Sequence, residues 1–151
     1  MAAQTYSFID VNASITGPGG TFSLGSGAAE EGITIVQTDD KTSLTMGSDG
    51  SGMHSLHAAK NGVVTVTLLK TSPVNQMLMA MYNLQSATAA LTGQNVIAVT
   101  DQERGDIVVA SWCAFRKVPD LAYAKDGNTH SWAFNAAQIN YVLGSGAPSL
   151  I

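Results

Sequence analysis

The stretch Gly62-Val-Val-Thr-Val-Thr-Leu-Leu-Lys70 constrains this chain most. Its β-branched residues stiffen at χ1 and suit a pleated surface, while threonine on one side and aliphatics on the other mark a strand with one packed face. The same pattern recurs along the chain. Tyr6–Ile15 alternates, as do Gly32–Thr38 and Thr42–Met46, which flank Asp39-Asp40-Lys41 and read as a hairpin with those three residues in its turn. Asn95–Thr100, Ile107–Phe115 and Ser131–Leu143 add at least three further strands. The class predicted is mainly β, with sheets packed on a core through one side.

A single helix interrupts this pattern, over about 72–85. Ser72 suits the N-cap and Pro73 the first helical position, where its missing N–H costs nothing. Val74, Met77, Leu78, Met81, Tyr82 and Gln85 then follow the spacing of a buried stripe. Met79 and Ala80 lie off that stripe, so the outer face is apolar too. A helix with little polar face predicts a second cover, and Pro73, Met79 and Ala80 are the candidate subunit-contact positions.

Glycine-rich connections predict arms at about 16–31 and 46–53 and a short C-terminal tail on one domain spanning 1–151. That length suffices for a core without staples. Charged residues are only 12% of the chain, and charge is depleted where surfaces are buried by neighbours. The net charge of −4 is local: Glu30, Glu31, Asp39, Asp40 and Asp49 face one base, Lys41, while elsewhere six acids balance six bases. With no basic patch, tight nucleic-acid binding is not expected. The first residues lack a secretory pattern, and no apolar run is long enough to span a bilayer, so a soluble protein folded in a cytoplasm is predicted.

Catalytic and ligand chemistry leaves little trace. Gly17-Pro18-Gly19-Gly20 lacks the ending of a phosphate loop, and no nucleophile elbow is present. His54 and His57, three apart on a strand, point to opposite faces and would not share a metal. Asp39, Asp40 and Asp49 lack calcium-loop spacing. Cys113 is alone and reads as a small buried apolar residue; Trp112 and Trp132 both fall in alternation that places them in the core. No catalytic residue, metal or cofactor is expected.

Several blocks together carry a resemblance: Tyr6-Ser-Phe8, Gly17-Pro-Gly-Gly20, Glu31-Gly-Ile-Thr-Ile35, Met53-His-Ser-Leu-His57, Leu68-Leu-Lys-Thr-Ser-Pro-Val-Asn75, Ala80-Met-Tyr82, Gly93-Gln-Asn95 and Pro119-Asp-Leu121. The sequence resembles the tail tube proteins of contractile-tailed, myovirus-like phages of the PhiTE type, from about residue 6 to 125. The resemblance implies an antiparallel β-sandwich or barrel-like fold with one flanking helix, in a structural virion protein of the tail assembled in the host cytoplasm. Six copies would form a ring whose strands combine into an inner β-barrel, and rings would stack into a hollow tube. The implied partners are further copies of the chain, the tail sheath protein, the tape-measure protein, and baseplate and tail terminator proteins, with DNA passing through unbound. If the Ile33–Met46 hairpin faces the bore, Asp39 and Asp40 would repel phosphate there.

Two other readings stay open. One is a carbohydrate- or receptor-binding β-sandwich module, with Trp112, Trp132 and the Gly-Ser-Asp-Gly loop as its site. The other is an inner tube or needle-shaft subunit of a related injection device, which shares the ring geometry.

Overall fold

The protein is described by a computed structural model covering residues 6–7, 11–24 and 28–144. Nine strands and one helix follow in the order β1 (Val11–Gly17), β2 (Gly20–Ser23), β3 (Ala28–Gln37), β4 (Thr42–Met46), β5 (Gly52–Leu56), β6 (Gly62–Leu69), α1 (Val74–Gln85), β7 (Asn95–Asp101), β8 (Asp106–Lys117) and β9 (Thr129–Val142). Seven strands build one antiparallel sheet in the order β2-β1-β7-β8-β9-β6-β3, and β4 and β5 form a separate two-stranded ribbon. The class is mainly β with one flanking helix, as the alternation predicts. The large sheet does not close on itself: β2 and β3 are its two free edges among the described residues.

One face of that sheet holds the core. Ala13 and Ile15 of β1, Val64, Val66 and Leu68 of β6, and Trp132, Phe134 and Ala136 of β9 are all buried on it. Full burial of an aliphatic side chain of this size contributes roughly 1.5–3 kcal/mol. Helix α1 lies over the same face through Val74, Leu78, Met81 and Gln85. Tyr82 meets Phe115 edge-on at 5.6 Å, and Phe115 in turn packs on Trp132 and Phe134. The buried stripe is narrower than predicted: Met77, on its margin, is 41% exposed. Polar contacts fix both ends of the helix. Ser72 Oγ accepts the Val74 N–H at 3.3 Å, and Trp132 Nε1 donates to Asn75 Oδ1 at 3.0 Å. At the far end Gln85 and Asn95 exchange amide hydrogen bonds of 2.7 and 2.8 Å, and Gln85 Nε2 also donates to the Pro18 carbonyl. These two amides are buried and mutually satisfied, as buried polar groups must be.

Three expectations need correction. Gly32–Thr38 and Thr42–Met46 are not a hairpin. The first lies in β3 as far as Gln37 and pairs with β6 in the register Ile33↔Val66, Ile35↔Val64, whereas β4 pairs with β5. The aliphatics of β3 match those of β6, and a short polar turn is weaker information than that match. The stretch 16–31 is not one long arm. Gly17 and Gly20 close a tight β1–β2 turn, and β2 and the start of β3 follow, with 25–27 outside the described residues. The arm expected at 46–53 is the turn and flanks of the β4–β5 ribbon, and most of the C-terminal tail, 145–151, lies outside the described residues.

Trp112 is the third. It is 59% exposed with φ of +55°, while Trp132 is buried as expected. Between Asn95↔Cys113 and Ile97↔Ala110, three steps on β8 face two on β7, which defines a β-bulge. Ala110 and Cys113, three apart, therefore both face the core, and Trp112 is turned out of it.

Candidate assembly surfaces

The β4–β5 ribbon stands away from the body. Every residue of β4 is exposed, and neither strand pairs with the large sheet. Its loop is tightly made: Gly47 N–H donates to the Ser51 carbonyl at 2.7 Å, Gly50 takes φ of +91°, and Ser51 donates twice to Asp49 Oδ1. The Ser51 hydroxyl, followed by its backbone N–H, holds the Asp49 carboxyl below its ordinary range. The register places Thr42, Leu44, Met46, Gly52, His54 and Leu56 on one face, and Ser43, Thr45, Met53 and Ser55 on the other. The first face is the apolar one. Leu44, Met46 and Leu56 are 56, 57 and 76% exposed, an apolar surface that the described residues leave uncovered.

An apolar hollow of about 380 Å³ lies elsewhere, between the start of α1, the 118–121 segment and the start of β9. Met79, Val118, Pro119, Leu121, His130 and Trp132 line it. Leu121 is exposed at its rim, and His130 Nε2 is buried without a hydrogen-bond partner. Lys70 braces the segment that follows, donating to the Ala122 carbonyl at 2.8 Å with its ammonium 4.0 Å from the centre of the Tyr123 ring.

On the sheet face away from α1, Trp112 opens onto a groove of about 610 Å³ shared with Asn61, Val63, Arg116 and Asn135. The bulge that creates this exposure depends on register with two neighbouring strands, so periodicity along one strand could not reveal it.

The candidate residues of the sequence fall in two places. Asp39 and Asp40 sit in the β3–β4 connection at the foot of the ribbon, exposed and without an ion pair among the described residues. Pro73, at the N-cap of α1, and Met79 and Ala80 on the helix are exposed, and of these only Met79 reaches the hollow. His54 is on the ribbon, and His57 closes its base by donating its backbone N–H to the Lys41 carbonyl at 2.9 Å. Cys113 is fully buried, and burial pushes its thiol up to about 11. No group of three or more His, Cys, Asp or Glu converges among the described residues, and no helix there is long and apolar enough to cross a membrane.

Two solved structures of contractile injection systems share this fold. The chain matches the tube-terminating cap of the anti-feeding prophage with a TM-score of 0.56 and 12% identity, covering 95% of each chain. It matches a chain of the sheath–tube complex of an extracellular contractile injection system, PVC, in its extended state equally well, at 0.56 and 12% identity over 88% of each. No curated protein sequence matches it. The sequence model of the bacteriophage PhiTE tail tube protein family matches residues 2–144, and the chain belongs to that family. It is a structural component of a phage tail.

Proposed function

We propose that the chain is the repeating subunit of the tail tube, six copies forming a ring and rings stacking into a hollow conduit for DNA. The observation that carries this reading is the open seven-stranded sheet with β2 and β3 unpaired at its two ends. Free strand edges invite pairing with other chains, and a head-to-tail contact whose rotation closes removes them all at once. Rings joined this way present continuous strands around a central bore. The sheath protein surrounds the tube, the tape-measure protein fills it before DNA, and baseplate and terminator proteins bound its ends; the likeness to a chain of a sheath–tube complex and to a tube cap supports the sheath and terminator among these. Assembly takes place in the host cytoplasm.

Hydrogen exchange tests ring closure. On passing from dispersed subunits to polymer, backbone amides of β2 and of Ile33–Gln37 in β3 are expected to gain strong protection. Unchanged exchange at both edges in the polymer would show that the sheets do not join there.

In this assembly Asp39 and Asp40 face the bore and repel passing phosphate. Pro73, Met79 and Ala80 of α1 lie at contacts between subunits. Replacing both aspartates with lysine is expected to slow DNA delivery while leaving tube formation intact, measured as the rate of genome ejection. Delivery at the normal rate by such tubes would remove the aspartates from that role.

A further inference from the structure

Trp112 carries two costs at once. Its φ of +55° lies in the left-handed region, which bulky residues rarely enter, and its indole is left in solvent rather than packed in the core. An outlier of this kind persists only where neighbouring structure holds it, and such outliers cluster where ligands are met. Here the bulge against β7 and the ladder to β9 hold it.

The surroundings form a shaped place. Val63, Asn135 and Ala114 are cross-strand neighbours on β6, β9 and β8, and so share the face away from α1. Ala114 is small and makes a low floor between Trp112 and Arg116, which stand no more than roughly 13 Å apart along the strand. Asn61 lines the same groove of about 610 Å³, and no acid does. Among the described residues Arg116 enters no salt bridge, and the side-chain amides of Asn61 and Asn135 hold no hydrogen bond.

We infer that this groove binds an acidic saccharide, a disaccharide bearing a carboxylate. The inference goes beyond the tube reading and does not depend on it. The indole offers an apolar plate to the C–H face of one sugar ring. The two amides present both donors and acceptors to its hydroxyls, and the guanidinium takes the carboxylate in a fork. A few convergent polar groups around an apolar surface are the makeup of a small-molecule site. A nucleic-acid base would stack on the indole as well, but its backbone needs a track of cations. Only one cation lines this groove, and Asp39 and Asp40 follow directly on Thr38 at its edge. Of the saccharide-site residues suggested by the sequence, Trp132 is buried and the Gly-Ser-Asp-Gly loop is at the ribbon tip, so Trp112 alone supplies the plate.

The chain's two tryptophans make binding visible, because Trp132 is buried and a change in emission on stacking reports Trp112. The probes are two carboxylate-bearing disaccharides, N-acetylglucosaminyl-N-acetylmuramic acid and glucuronyl-N-acetylglucosamine, with chitobiose as the neutral counterpart. At least one acid is expected to bind the purified full chain with a Kd of ~1 mM or tighter, and at least ~10-fold more tightly than chitobiose. By calorimetry Trp112→Ala should lose the acid, and Arg116→Gln should bind it no better than chitobiose. Both side chains are exposed, so neither thermal midpoint should fall; Arg116→Gln alone decides the matter should Trp112→Ala not fold. No binding of either acid at ~10 mM overturns the inference. Equal binding of chitobiose, or tighter binding of a thymidine hexanucleotide, overturns it too. Loss of self-association in Trp112→Ala would make the groove a contact between copies and overturn it likewise.

Discussion

A β-carbon on Gly17 would collide with Asn95 Oδ1, an atom already committed to Gln85. The glycine therefore protects the buried amide pair that ties the β1–β2 turn to the end of α1 and the start of β7. Gly17→Ala is expected to destabilise the subunit by about 2–4 kcal/mol, from overpacking together with loss of buried hydrogen bonds. Gly127→Ala, whose added carbon meets nothing within 4 Å, should change stability by less than about 0.5 kcal/mol. Urea unfolding of the two variants checks this; equal midpoints would contradict it. Gly17 was visible in the sequence only as part of a glycine-rich turn. Its partner Asn95 is 78 positions away, and nothing local indicates that they meet. Trp112 was missed for a related reason: alternation along β8 describes one strand, while the bulge is a mismatch between two.

At the level of elements, β6 and α1 could be read from residue types because their signals are local. The β-branched run of β6 and the Ser72-Pro73 start followed by the stripe of α1 act within a few residues. The ribbon was half legible. Its first strand, Thr42–Met46, shows in the alternation and its loop contains the Gly-Ser-Asp-Gly turn that forms, but Asp39-Asp40-Lys41 offered a competing turn, and the aliphatic match to β6 decided where β3 went. The hollow was not legible at all, since it joins α1, 118–121 and β9 from distant parts of the chain. Because the ribbon lacks cover from its own body, it should be the weakest element of the dispersed subunit. Limited proteolysis is expected to cut first within 47–51 and leave the seven-stranded sheet folded, with the same bonds protected in polymer. Equal resistance in both states would mean that the ribbon gains no cover on assembly.

For the whole molecule, the decisive property is how little of its surface is complete. Among the described residues, two strand edges lack partners, an apolar ribbon face is bare, and an apolar hollow is open. Low overall charge fits that condition, because charged groups at such contacts would have to be stripped of water. Asp39 and Asp40 follow directly on the edge strand β3 at the foot of the ribbon, and Asp49 lies at its tip. Membership in the tail tube family and the unfinished surfaces both support the proposed reading, in which the subunit becomes complete only as part of a tube. Electron microscopy of the concentrated, purified protein tests this most directly. The account predicts hollow tubes or stacked rings of uniform width whose averaged end views show six-fold symmetry; compact particles that stay dispersed, or polymers without a bore, would contradict it.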